Sequence, residues 1–93
     1  MIVGILRVVL SIPGANTLKD KRQVIKSLLD IARNRFAVSA AEVGYLDAHR
    51  RSELGFACVS NDKLVAERML RKVLGHIESN PLCEVIESEL DFV

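Results

Sequence analysis

The stretch MIVGILRVVLSIPGANTLKDKRQVIKSLLDIARN, residues 1–34, decides the fold, because a strand pattern gives way to a helix pattern inside it. Residues 1–12 are rich in Val, Ile and Leu. Both alternate sets, Ile2/Gly4/Leu6/Val8/Leu10/Ile12 and Val3/Ile5/Arg7/Val9/Ser11, are largely apolar. A strand apolar on both faces is normally central, with its second face covered by something other than water. Pro13-Gly14 ends it, and Thr17 followed by Asp20 fits a capping box with Asp in the usual Glu position, so a helix begins at Leu18. This helix runs to about Asn34. Val24, Ile25, Leu28, Ile31 and Ala32 form its buried stripe, and Lys19, Arg22, Lys26, Asp30 and Arg33 lie opposite. Lys21 projects from the middle of the apolar face, so its stem is expected on the core edge with its ammonium reaching out past the sheet end.

Outward from this segment, Phe36–Leu46 reads as a second strand whose alternation slips at Ala40-Ala41, as an edge bulge would make it. Gly44–Ser52 forms a polar hairpin tip and Glu53–Val59 a third strand, with Leu54, Phe56 and Cys58 facing the core. Ser60 or Asn61 caps a second helix over Asp62–Ser79, with Val65, Ala66, Met69, Leu70, Val73 and Ile77 on one side. Asn80-Pro81 stops it. The last strand, Glu84–Val93, places Ile86, Leu90 and Phe92 on one face and Glu87, Glu89 and Asp91 on the other. The order βαββαβ predicts an α+β two-layer sandwich of ferredoxin-like type over residues 1–93. Its four-stranded antiparallel sheet takes the order 4-1-3-2, with both helices on one face.

Ninety-three residues allow one domain, and an apolar content of 49% is enough to fill a core. The first apolar run lacks a basic leader and is interrupted by Arg7, so neither a signal peptide nor a membrane span is expected. Cys58 and Cys83 are not in metal-ligand spacing and read as inert core thiols in a reduced, cytoplasmic setting. The net charge of +1 hides an asymmetry: residues 1–51 hold nine Lys/Arg against four Asp/Glu, and residues 52–93 hold four against eight.

Several chemistries lack their residues. The first strand has no aromatic for base stacking, and the acidic row of strand four would repel phosphates, so the open sheet is no RRM-like platform. PGANT stands where a soft-metal carrier would place CxxC, and His49 and His76 lack ligand partners; His76 reads as an ordinary boundary histidine. No metal or cofactor is implied. Nothing resembles a nucleophile elbow or a phosphate loop, and no catalytic residue is assigned. An enzyme is therefore not expected, and nothing points to DNA.

Two features remain. Topology brings the end of strand one, the start of helix one, the hairpin tip and the end of helix two to one pole. There Lys19, Lys21, Arg22, His49, Arg50 and Arg51 converge, with Lys72 nearby and Asp20, Asp47 and Glu53 as acidic neighbours. This set is either a solvated face or a patch that contacts RNA phosphates. On the outer sheet face, Val3, Ile5, Val9, Ala57, Val59 and Val85, with Val93, make an apolar area that predicts a homodimer, or a larger oligomer, packed through the sheets. A small ligand at such an interface is a further expectation. Arg7 is expected to pair with Glu87 or Glu89.

Residues TLKDKRQVIKSLLD, VSAAEV and LGFACVSND, in this order and separation, resemble the YlxP-like bacterial family of unknown function. Leu18, Lys19, Lys21 and Arg22 match its basic first-helix motif; Glu42-Val43, Leu54-Gly55 and Ser60-Asn61-Asp62 match its strand motifs. The resemblance implies a ferredoxin-like fold. Members are often encoded near translation and ribosome-maturation factors, which implies an RNA-linked accessory role. The tip departs from the pattern: where many members have Asp-Leu-Trp-Gln-Arg, this chain has Asp47-Ala48-His49-Arg50-Arg51, so Asp47 and Arg51 carry over and the aromatic does not.

Overall fold

The computed structural model describes residues 1–93. The chain forms β1 (Ile2–Ser11), α1 (Leu18–Arg35), β2 (Ser39–Gly44), β3 (Arg51–Ser60), α2 (Lys63–Glu78) and β4 (Glu84–Phe92). β1 is central and antiparallel to both β3 and β4, while β2 pairs with β3, giving the sheet order β2-β3-β1-β4. Read from its other edge this is the expected 4-1-3-2 arrangement, a ferredoxin-like α+β sandwich.

Alternation places Leu6, Val8 and Leu10 of β1 against the helices, where all three are buried. Their β3 partners Phe56, Leu54 and Ser52 are buried on the same face. Ile25, Leu28, Leu29 and Ala32 of α1, with Ala66, Leu70, Val73 and Ile77 of α2, close the core from above. Each fully buried Leu, Ile, Val or Phe contributes about 1.5–3 kcal/mol, so this layer is the main source of stability. Both cysteines lie in it as free thiols, and burial pushes the Cys83 thiol up. At Gly4 the helix comes so close that a Cβ would meet Leu70 Cδ1 at 2.8 Å. The absent side chain sets that α2–β1 approach.

The start of α1 keeps the expected cap: Thr17 Oγ1 accepts from the Asp20 N–H at 3.0 Å, and Asp20 reaches back to the Asn16 N–H at 3.0 Å. For α2 the cap is Asp62, accepting from the Leu64 N–H at 2.9 Å, rather than Ser60 or Asn61; Ser60 Oγ accepts in turn from the Asp62 N–H.

The other departures concern strand ends and bulges. β2 begins at Ser39 because Phe36 still caps α1, its N–H donating to Ala32 O. Its register slips at Val43 rather than at Ala40-Ala41, while β3 starts two residues earlier than expected, at Arg51. In β4 the pairing passes from Val9↔Glu87 to Leu10↔Val85, so Ile86 is the extra residue of a bulge. That bulge turns Val85 inward against the core and leaves Ile86 exposed. Val85 therefore leaves the predicted outer-face set. No helix is long and apolar enough to cross a membrane.

Candidate functional site

Lys21 occupies the first turn of α1 on the same stripe as Ile25 and Leu28, and its side chain is fully buried instead of reaching past the sheet end. Its Nζ donates to Tyr45 O at 2.8 Å, and to Leu46 O and Arg51 O at 3.3 Å, and it lies 3.0 Å from Glu42 Oε2. The same carboxylate oxygen accepts from Ser52 Oγ at 2.5 Å. Burying an ammonium is tolerable only when its donors and its charge are satisfied, and carbonyls from the hairpin with the Glu42 carboxylate do this. Lys21 is thus a buried clamp between α1 and the hairpin tip. It is withdrawn from any ligand-facing patch.

The tip has a backbone suited to this clamp. Tyr45 takes φ 55°, the left-handed region that side-chain-bearing residues rarely adopt, and its carbonyl accepts from both Lys21 and the Ala48 N–H. The Tyr45 ring stays about half exposed with the Arg51 guanidinium 5.7 Å from its centroid. An aromatic therefore does stand at the tip, two residues before Asp47. The family pattern directs attention to position 49 and misses it; the signal was Gly44-Tyr45 at the strand end.

Arg50 is a second tie. Its Nε donates to Ala15 O at 3.0 Å and an Nη reaches Asn16 Oδ1 at 3.4 Å, fastening the tip to the β1–α1 loop. Its hydrogen bonds are largely occupied by its own chain. Of the six basic residues expected at this pole, Lys19, Arg22, His49 and Arg51 remain exposed and form no ion pair, and Lys21 and Arg50 hold the pole together. Among the acidic neighbours, Glu53 is engaged by Arg7 on the sheet face and Asp20 by the helix cap, leaving Asp47 as the free carboxylate. Lys72 lines a cleft with Arg35 and His76 instead of joining the tip.

On the outer face, Arg7 pairs chiefly with Glu53, Nε to Oε2 at 2.9 Å, and also with Glu87 at 3.3 Å and Glu89 at 3.8 Å. Hydrogen bonds donated to Glu53 and then to Glu87 hold its guanidinium more firmly protonated. Glu53 and Glu87 are the register neighbours of Val9, so the bridge closes over Val9, which is 4% exposed. Val9 and Val85 therefore drop from the predicted apolar surface. Val3, Ile5, Ala57 and Val59 keep their outward positions, with Val59 the most open of them. Ile5 and Ala57 join Ala41, Val43 and Gly55 in a shallow trough of about 260 Å³. No group of three or more His, Cys, Asp or Glu side chains gathers in metal-ligand fashion.

Comparison with known proteins agrees with this architecture. The chain covers a design named "De novo designed protein Foldit4" over 100% of its own length and 97% of that chain, at 16% identity and a TM-score of 0.55, a likeness of fold alone. It is 41% identical over 70 residues, 75% of this chain and 76% of the relative, to the uncharacterized protein YlxP of Bacillus subtilis (strain 168). The profile of the family described as "Protein of unknown function (DUF503)" matches residues 3–90. Neither description carries a reaction, and together they show that the chain belongs to the DUF503 family, of which YlxP is a relative.

Proposed function

We propose that this protein is a non-catalytic binding factor that contacts single-stranded RNA, or the RNA of a ribonucleoprotein, through the hairpin-tip pole. One observation carries the reading: the fully buried Lys21 holds the tip in a left-handed turn that leaves the Tyr45 ring and the Arg51 guanidinium within cation–π range of each other and open to solvent. Strain of this kind persists only where surrounding contacts over-determine it, and it recurs at binding sites. An exposed aromatic gives an unpaired base a stacking surface, and Lys19, Arg22 and Arg51 supply charge for phosphates. Lys19 and Arg22 oppose the α1 dipole, so helix stability does not account for their placement.

Fluorescence anisotropy with a labelled single-stranded RNA, over a salt series, tests this. Three phosphate contacts predict a slope of about −2 in log K against log salt, and Lys19→Glu with Arg22→Glu and Arg51→Glu should abolish it. Equal slopes for the wild type and the triple variant would sink the reading.

A second reading rests on the outer sheet face, where Val59 is 68% exposed beside Ile5 and the trough. A second copy of the chain packed through that face would cover these groups. Sedimentation of wild type and Val59→Lys at micromolar concentration decides it: a dimer that the substitution splits supports the reading, and a strict monomer removes it.

A further inference from the structure

Four of the ten Lys and Arg side chains on the two helices are matched with carboxylates: Lys21 with Glu42 at 3.0 Å, Lys26 with Asp30 at 2.6 Å, Arg33 with Asp30 at 3.7 Å, and Arg71 with Glu67 at 2.9 Å. Arg35 and Lys72 are not. They line one cleft of about 360 Å³, with Phe36, His76 and Ser79, and no Asp or Glu lines it. Arg35 lies 5.7 Å from the Phe36 ring centroid, and the same ring stands 6.4 Å from the His76 ring, so the cleft wall is packed rather than a loose gathering of surface chains. No carboxylate lines the cleft to offset the two charges, and solvent screening keeps their mutual repulsion modest.

His76 adds an independent observation. Its Nε2 is buried and has no hydrogen-bond partner, which is rare for a buried polar atom. Burial first, and Arg35 second, hold its pKa below 6.5, so the ring is neutral at pH 7. A buried N–H without an acceptor is costlier than a buried lone pair, which favours the tautomer with the proton on Nδ1. The ring is then a third donor beside the two cations. Ser79 contributes none, since its hydroxyl already donates to His76 O at 2.7 Å. The donors are thus a guanidinium, an ammonium and a neutral imidazole.

We propose that the cleft between the end of α1 and the last turns of α2 is an anion site that takes a phosphate group, bound by Arg35, Lys72 and His76. The planar fork of Arg35 matches two phosphate oxygens, Lys72 supplies a point charge, and His76 Nδ1–H donates to a third oxygen. None of these residues belongs to the hairpin-tip pole, so this site stands or falls separately from that reading. The phosphate has three sources: the free ion, a terminal phosphomonoester, or an internal phosphodiester of RNA.

The test is a nitrogen-15 NMR titration of the whole chain, including the His76 ring nitrogens, at constant ionic strength held with chloride. The probes are inorganic phosphate, adenosine 5′-monophosphate and an unphosphorylated RNA dinucleotide. Saturable shifts at Lys72, His76 and Ser79 are expected with an affinity of about millimolar, and Arg35→Gln or Lys72→Gln should each weaken it about tenfold. Both substitutions are on the surface, so the fold survives them. The free ion alone, the monoester, or the diester saturating the same residues each supports the site and names its source. Shifts that never saturate with any probe, or that are the same in both variants, overturn it.

Discussion

Replacing Lys21 by Met tests the central claim about the pole, that the ammonium is a structural clamp rather than a ligand contact. The lost interactions are a 3.0 Å ion pair with Glu42, whose side chain is only 17% exposed, and bonds to Tyr45 O, Leu46 O and Arg51 O. Met matches the buried stem and adds no donor. Removing one partner of a buried pair costs about 3–5 kcal/mol, because the remaining carboxylate is left without its counter-charge. Against a total of about 5–14 kcal/mol for a chain of this length, the variant folds but is fragile. In urea the midpoint should fall by about 2–4 M at unchanged slope. Hydrogen exchange supplies a local readout: the Ala48 N–H, bonded to Tyr45 O at 3.0 Å, should exchange faster than the amides of β1. Adding Glu42→Gln to Lys21→Met removes the orphan carboxylate and should restore about 1–2 kcal/mol. A loss below about 1 kcal/mol in the single variant, the size of an exposed ion pair, would refute the clamp and return the ammonium to solvent.

Three further outcomes follow from the same structure. Gly4→Ala forces a Cβ to within 2.8 Å of Leu70 Cδ1 and should destabilise by about 1–3 kcal/mol in the same urea assay, with an unchanged midpoint showing that α2 has room to retreat. Tyr45→Gly relieves the left-handed φ of 55° and should leave stability within about 1 kcal/mol of wild type or raise it. The same variant should weaken RNA binding about tenfold in anisotropy, and unchanged affinity would remove the stacking role. Because burial and then Arg35 depress the His76 pKa below 6.5, the unfolded chain binds its proton first as pH falls. Stability should therefore decline from pH 6.5 down through the folded-state pKa, and His76→Gln should flatten that slope in thermal melts taken across the range.

The periodic parts of the chain were legible and the aperiodic ones were not. β1, α1 and α2 announce themselves because each buries one stripe or face of consistent spacing, and a right-handed crossover then leaves one sheet order. The β4 bulge escaped because Val85 and Ile86 are adjacent apolar residues, and either fits the core face. Only the pairing with Leu10 decides for Val85. One skipped residue reverses the face of everything before it, which is why an interface residue became a core residue. Val9 failed for a different reason. It does face outward, but Arg7 finds Glu53, a β3 partner whose distance in sequence hides it, and their ion pair roofs the valine.

Lys21 shows where reading a site from sequence runs out. Its position on the apolar stripe was visible, and both destinations for its ammonium, outward to solvent or inward to acceptors, were compatible with that position. The choice depends on backbone carbonyls 24 to 30 residues away, delivered by a turn whose left-handed position is held by Tyr45 rather than by a glycine. Charge counting by pole therefore overstates what is available to a ligand. Once Lys21 and Arg50 are assigned to holding the hairpin, and Arg7, Lys26, Arg33 and Arg71 to carboxylates, seven Lys and Arg side chains remain; Lys63 and Arg68 stand on α2, and the other five fall into two places. Arg51 lies against an exposed tyrosine at the pole that also carries Lys19 and Arg22, and Arg35 with Lys72 line a cleft with a neutral histidine. Both places combine unpaired charge with a planar ring. A nucleotide offers a matching pair, a phosphate and a base, so the two sites are best probed with the same ligands and told apart by which substitutions silence each.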